Sequence, residues 1–416
     1  TYSVGDGGLT QKNFTTADNT KLDGIEAGAT VDQSKADIEG LGIAASSITG
    51  ALPAISGANL TGLAASFADL TDTTVSASDP TVSTNPSAVG HLWINSTSGE
   101  QFVATDITAG ANSWVNTGEG AGNITAPYSI EALLVAGGGG GASYHGGGGA
   151  GGVVWATGIT VVSGSTSIVV VGGGGPFSSD NAFINNRGGA SSLGAASAVG
   201  GGGGTDGATH TYSSGGSGGG SNNSTQNSGT SGQGYAGGMG SISGYTWYSA
   251  GGGGGASGVG ANAYGTQYGG NGGNGSSDKV GTTSATTNLL KAALLGTDSS
   301  NNATTSSSTG TLYIAAGGAG GCWGRYATGY TGVGGTGGGA PYTSSIAYGT
   351  AYHSGMDGRV NTGSGGTAVH NSIGGSGGSG AVVIRYSGVQ KGTGGVVVTT
   401  GGYTYHTFKS SGSFIG

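Results

Sequence analysis

Hydrophobic positions along the chain fall into short alternating or continuous runs, and long stretches between them have no apolar period at all. His91-Leu-Trp-Ile-Asn95, Glu100-Gln-Phe-Val-Ala-Thr105 and Ser113-Trp-Val-Asn116 alternate with period two, which predicts strands. Ser96-Thr-Ser-Gly99 between the first two predicts a hairpin turn. Trp93, Phe102 and Trp114 are placed to share one small core, a reading we prefer to a sugar-binding role for the two Trp. Further runs predict strands at Ile130–Ala136, Val153–Thr157, Ile159–Val162, Ile168–Val171, Leu312–Ala316, Ala381–Tyr386, Val396–Thr400 and Tyr403–Phe408. These cluster at the two ends of a long region, which predicts a β base closed by its terminal strands. One stretch, Thr286–Leu295 stopped by Gly296, predicts a helix of about ten residues with a glycine C-cap.

Between the apolar runs the glycines carry a period of their own. Gly269–Gly275 reads GGNGGNG, Gly374–Gly380 reads GGSGGSG, and Gly215–Ser221 reads GGSGGGS. Gly334–Gly339 (GGTGGG) and Gly317–Gly321 (GGAGG) are shorter examples. A period of three is that of an extended polyproline II helix, neither 3.6 nor 2. Such a helix makes no internal hydrogen bonds, so its peptide groups must find partners on neighbouring segments. Segments come close enough only where no Cβ stands between them. The expected arrangement is a sheaf of packed rods rising from the β base. Interior positions should admit nothing larger than hydrogen, with Asn, Ser, Ala or Thr at the edges.

Composition tests that picture. The 416 residues include 101 Gly and 6 Pro, about a quarter of the chain, a value otherwise typical of disorder. Disordered chains are rich in charge and poor in aromatics. This one is 7% charged and carries 18 Tyr, 7 Phe and 5 Trp, so order is expected. The net charge of −8 is uneven: residues 1–131 hold 14 acidic side chains against 3 Lys, whereas residues 132–416 hold 5 Asp, no Glu, and 8 Lys plus Arg. That contrast indicates different kinds of structure along the chain, and neither part is basic enough to bind nucleic acid. The single cysteine, Cys322, rules out an intrachain disulfide framework and reads as a small buried residue. No apolar run reaches the roughly 20 residues of a membrane-spanning helix. Thr1-Tyr-Ser-Val lacks an initiator Met and a signal peptide and reads as the cut or processed end of a longer polypeptide.

Three regions result: 1–63, 64–122 and 123–416. The first is small, polar and acidic, with Phe14–Thr30, Ala36–Ile43 and Leu52–Leu63 as its apolar punctuation. It is too poor in core to fold alone, so wrapping with identical chains is expected. Phe14–Thr30 followed by Leu52–Leu63 resembles the shaft repeats of tailed-bacteriophage fibres, which are intertwined homotrimers. Residues 64–122 resemble short β modules of marine phage fibres. Ile130–Gly141, Gly377–Tyr386 and Val396–Phe408 resemble glycine-rich segments of the same fibres. The third region is similar to two families: phage receptor-binding adhesins, whose tip is a sandwich of polyproline II glycine helices topped by variable aromatic loops, and the glycine-rich ligand-binding domain of some animal receptor kinases. The shaft-like repeats favour the first. In those adhesins the tip is a separate polypeptide, whereas here shaft and tip share one chain.

Loops between the glycine blocks carry the large side chains. Tyr212, Tyr235, Tyr245, Trp247, Tyr248, Tyr268, Trp323, Tyr326, Tyr330, Tyr348 and Tyr352 are the candidate receptor-binding residues, with His210, Tyr264, Arg325, Tyr342 and His353 among them. Tyr, Ser, Gly and Asn with occasional Trp and Arg form the palette of antibody loops, where rigid aromatics give contact area at low entropic cost. The same aromatics could instead lid the ends of the sheaf. Catalytic patterns are missing. The third region has no Glu to supply a conventional glycosidase pair, and its His have no metal-ligand spacing. Lys391-Gly-Thr393 lacks the loop of a phosphate-binding motif. No cofactor and no metal are expected.

The sequence therefore predicts a mostly β and irregular protein: a trimeric shaft segment, a small β module and a glycine-rich tip. The resemblance implies a non-enzymatic virion tail fibre protein, joined to upstream tail or fibre proteins and attaching to a bacterial surface receptor, glycan or outer-membrane protein. A polysaccharide depolymerase and a purely structural spacer are the alternatives.

Overall fold

The computed structural model describes residues 15–18, 20–21, 72–118, 126–143, 145–178, 185–205, 212–242, 248–265, 268–277, 313–323, 332–337, 357–368 and 374–416. The chain divides into two compact units, 1–66 and 67–416. In the first, Thr15 and Asp18 cap one turn of helix reciprocally: Asp18 N donates to Thr15 Oγ1 and Thr15 N to Asp18 Oδ2, both at 3.2 Å. The rest of Phe14–Thr30, together with Ala36–Ile43, Leu52–Leu63 and the predicted helix 286–295, lies outside the described residues.

Residues 72–118 form a four-stranded sheet of β1 (Thr73–Ser76), β2 (Leu92–Asn95), β3 (Gln101–Asp106) and β4 (Ser113–Asn116) in that order. The predicted hairpin turn is present, closed by Gly99 N to Asn95 O at 2.8 Å with Gly99 at φ +80°. Phe102, Ala104 and Trp114 are fully buried, with Trp93 packed against them and its ring edge-on to Trp114 at 5.9 Å. β1, which joins β2 in parallel, has too little apolar pattern to be read from sequence.

The β base of the third region is two stacked sheets. One has the order β14 (Val396–Thr400), β15 (Tyr403–Phe408), β13 (Ala381–Ser387), β5 (Tyr128–Val135), β6 (Val153–Val161). The other has the order β16 (Gly412–Ile415), β7 (Thr166–Val170), β8 (Ser191–Leu193), β9 (Ala196–Ala198). Ile130, Ala132, Leu134, Val382, Ile384 and Phe408 meet Val169, Leu193, Ala198 and Phe414 between the sheets. On the opposite face Leu133, Val135, Val153, Ala381 and Val383 meet Ala150, Ala256, Ile314 and Ala315 of the glycine region. Burial on both faces explains why Ala381–Tyr386 is a continuous apolar run rather than an alternating one. The two short runs at 153–162 are one strand, β6, with a register shift opposite β5 and Gly158 at φ +70°. Within this sheet Glu131 pairs with Arg385, whose guanidinium lies between the Trp155 and Tyr403 rings at 5.0 and 4.8 Å.

Glycine segments continue directly from these strands: 137–142 leaves β5, 146–152 enters β6, 172–178 leaves β7, 185–190 enters β8, 199–205 leaves β9 and 374–380 enters β13. None is helix or strand, and their peptide bonds go to other segments. Segment 146–152 shows the rule. Gly146, Gly149 and Gly152 donate to Thr205, Gly202 and Val199; Gly147 and Ala150 donate to Gly251 and Gly254; Gly148 and Gly151 donate to Gly366 and Gly363, all at 2.7–3.3 Å. Their carbonyls accept from three further segments: Gly146, Gly149 and Gly152 from Ala142, Gly139 and Ala136, Gly147 and Ala150 from Gly220 and Ser217, and Gly148 from Gly318. The direction of bonding repeats every three residues, so one rod has six neighbours, three that accept from it and three that donate to it. A Cβ on Gly148 would stand 2.0 Å from the Gly139 carbonyl oxygen, and one on Gly272 would stand 2.1 Å from that of Gly317.

Two expectations are corrected. Of the expected strand Leu312–Ala316, the described residues 313–316 form none: Ile314 makes a single bridge to Ser276, and from there the chain runs as a rod through Gly321. Hydrogen is not the only group tolerated inside, since Ala150, Ala256, Ala315, Ala316, Ala319, Ala368, Ser217 and Thr367 are all fully buried. Ala150, Ala256 and Ala315 sit where rods meet the sheet, and there the side chains of Leu133, Val135 and Val383 space the layers widely enough for methyls.

Amide side chains act as substitute peptides. Asn271 Oδ1 accepts from Val333 N at 2.8 Å while Gly272 N donates to Val333 O at 2.8 Å. Three residues on, Asn274 Oδ1 accepts from Thr336 N at 3.1 Å while Gly275 N donates to Thr336 O at 2.9 Å. Asn186 Nδ2 donates to the carbonyls of Gly140 and Gly204. The Asn of GGNGGNG thus fixes an edge rod where a hydroxyl could not reach.

Gly272→Ala should lower stability by about 3 kcal/mol, the upper range for overpacking a tight interior. Gly173→Ala, whose Cβ would meet nothing within 4 Å, should leave the melting temperature nearly unchanged. Thermal melts of the two variants check this. A second expectation concerns His406, fully buried, whose Nδ1 donates to Gly394 O at 2.8 Å and whose Nε2 therefore accepts from Tyr386 Oη at 2.8 Å. Burial lowers its pKa below 6.5, so the native state binds fewer protons than the unfolded one just below that pH. Its contribution is complete above pH 6.5 and falls on acidification by up to about 1.4 kcal/mol per pH unit. Denaturant melts between about pH 7.5 and 5.5 (one unit either side of the free imidazole value) should show the slope, and His406→Gln should flatten it.

Candidate binding surface at the loop end of the glycine bundle

Chain direction sorts the connections between rods into two sets. Rods 137–142, 172–178 and 199–205 run away from the sheets, so Ser143, Ser178 and Thr205 mark the far end. Hydrogen bonds extend this assignment. Ser221 N donates to Gly238 O, and Gly251 N to Ser221 O, which brings the 222–226 turn and the strands β10 (Ser241–Ile242) and β11 (Tyr248–Ser249) to the same end. There β11 pairs with β10 on one side and with β12 (Cys322–Trp323) on the other, Tyr248 opposite Trp323 and Ser249 opposite Cys322. Asn222 Nδ2 lies 2.9 Å from His145 Nδ1, joining two of the turns.

The sequence candidates divide accordingly. Tyr268 closes a hairpin with Tyr264 through Gly265 at φ +59°; the rings are 6.2 Å apart and exposed, 80% for Tyr264 and 44% for Tyr268. The backbones of Tyr248 and Trp323 are neighbours in the three-stranded tip sheet. Tyr235 is exposed at the opposite end, its N–H bonded to Gly255 O just before Ala256 meets the sheet. Tyr212 is half-buried, and its carbonyl accepts from Gly203 N at 3.0 Å, two residues before the far end of rod 199–205. Tyr245, Trp247, Tyr326, Tyr330, Tyr348 and Tyr352 lie outside the described residues. The anchors of 243–247 and 324–331 are at the far end. Those of 338–356 are near the sheets: the Gly337 carbonyl accepts from Ser364 Oγ, two residues from Thr362, which bonds to Ala315 N. Sequence reasoning missed His145 and Asn222, and no spacing signal links residues so far apart.

Two of the acidic side chains serve structural bonds. Asp357 Oδ1 accepts from Ser376 N at 2.7 Å, and Glu131 is held by Arg385. Among the described residues no three His, Cys, Asp or Glu come together as a metal site. Cys322 is buried, and burial pushes its thiol pKa up to about 11. The folded protein should therefore resist alkylation by iodoacetamide at pH 8 and react once denatured, with mass spectrometry as the readout.

An array of rods held to one another by backbone hydrogen bonds can present contact area at its end without ordering it on binding. No curated protein and no solved structure matches this chain. A family described as a glycine-rich domain matches residues 115–387, about two thirds of the chain. The protein belongs to that glycine-rich domain family.

Proposed function

We propose that the chain is a fibre protein of a tailed bacteriophage whose glycine-rich part attaches the virion to a receptor on the bacterial surface, without catalysis. The observation that carries this reading is the separation of a rigid backbone lattice from an end made of turns, where Tyr264 and Tyr268 stand exposed beside the strands that hold Tyr248 and Trp323. Loops fixed at both feet lose little freedom on binding, so aromatic side chains on them deliver affinity efficiently. The three-residue repeat of hydrogen-bond direction supports reading each rod as a polyproline II helix. The apolar poverty of residues 1–63 supports a homotrimer, in which three copies supply the core that one lacks. The shaft-like repeats support a place in the distal tail fibre, joined to upstream tail or fibre proteins.

The protein should bind host cells and compete with virion adsorption. Replacing Tyr245, Trp247 and Tyr248 by Ser, or Tyr264 and Tyr268 by Ser, should weaken binding about tenfold or more, since each decade needs only about 1.4 kcal/mol. Unchanged adsorption in both variants would leave only a spacer role, and release of reducing sugar from host polysaccharide would make the protein a depolymerase.

A further inference from the structure

At the end of the β base farthest from the rods, a cleft of about 560 Å³ opens beside the small β module. Asp106, Thr108 and Ser113 line it from the β3–β4 side, and Tyr128, Gln390 and Lys391 from the β base. Its size is within the range of small-molecule sites. Both walls are fixed in advance. Asp106 Oδ1 accepts from Thr108 N at 2.8 Å and Thr108 Oγ1 at 2.7 Å, which orients the carboxylate and lowers its pKa. Across the cleft, Tyr386 Oη accepts from Lys391 N at 2.9 Å and Gly392 N at 3.1 Å while donating to buried His406, so the loop bearing Gln390 and Lys391 is tied to the core. Lys391 Nζ sits 5.2 Å from the centre of the Tyr128 ring. The Tyr128 hydroxyl is buried, which pushes its pKa up to about 12, so the cleft meets the ring of Tyr128 and not its oxygen.

We propose that this cleft binds a neutral saccharide of one or two rings. One carboxylate and one ammonium balance, so the lining selects no net charge. What it offers is an acceptor on Asp106, a donor on Lys391, the side-chain amide of Gln390, hydroxyls on Thr108 and Ser113, and the Tyr128 ring. Sugar rings match that set, with vicinal hydroxyls that both donate and accept and an apolar face of C–H groups to lie on an aromatic ring. The site is separate from the loop end of the rods and goes beyond the attachment role. It would hold for this protein whether or not the distal loops bind a receptor.

Ligand-observed NMR and calorimetry on the full chain test it, with glucose, galactose, mannose, N-acetylglucosamine and their β-linked disaccharides as probes and glucuronate and glucosamine as charged controls. At least one neutral sugar should bind, and Lys391→Ala and Asp106→Ala should each weaken it about tenfold, or about 1.4 kcal/mol. The Tyr264→Ser, Tyr268→Ser variant should bind that sugar as the wild type does, which separates this site from the adsorption surface. Absence of binding by every neutral probe, stronger binding of a charged control, or affinity indifferent to the Lys391 and Asp106 substitutions would overturn the proposal.

Discussion

Everything in residues 126–416 depends on what occupies the place of the missing Cβ. At most interior glycines that place holds a carbonyl oxygen of a neighbouring rod, about 2 Å from where the carbon would be, as at Gly148, Gly260 and Gly377. The same proximity lets the N–H groups of each rod reach carbonyls on its neighbours. Glycine is entropically expensive to order, and a lattice of this kind recovers little from side-chain burial. The compensation is that nearly every peptide group inside finds a partner, and leaving one buried without a partner would cost more than the bond itself contributes. Stability here is a property of backbone, with the hydrophobic effect confined to the base.

That base sets the geometry of the rest. Strands β5, β6, β7, β8, β9 and β13 hand their spacing and direction to the rods that continue them. The antiparallel β5–β6 pair becomes the antiparallel pair 137–142 and 146–152 without a break. Rods that do not continue a strand of the β base, such as 250–255 and 332–337, are placed by hydrogen bonds to those that do. At the periphery, where a rod lacks a neighbour, the exposed Asn271 and Asn274 provide amide groups in place of peptides, and the buried Asn186 does so in the interior. The lattice is thereby closed at its edges without exposing a row of unpaired donors of the kind that makes sheet edges sticky.

A bundle organised this way separates support from recognition. Sequence can vary in the turns at the far end without touching the glycines, because the turns contribute few of the bonds that hold the rods. The sheet end is different. There the Tyr386–His406 pair and the loop 388–395 are part of the core, and side chains on that loop are held as firmly as the strands.

The sequence by itself determined the kind of structure. The period of three in GGNGGNG and GGSGGSG, and the continuous apolar run Ala381–Tyr386, followed from local chemistry: an absent side chain and two buried faces. It also located the small core of Trp93, Phe102 and Trp114 from alternation alone. Tertiary structure decided which rod lies beside which, because glycine segments are nearly identical and carry no address. It also decided that the chain from Ile314 to Gly321 is a rod, that alanine methyls fit where rods meet the sheet, and that β8, β9 and β16 exist at all. Those outcomes rest on contacts between residues far apart in the chain, and no local pattern encodes a neighbour that only folding supplies. For the same reason the aromatic residues, alike in sequence, were sorted by chain direction: Tyr264 and Tyr268 to the loop end and Tyr235 to the sheet end.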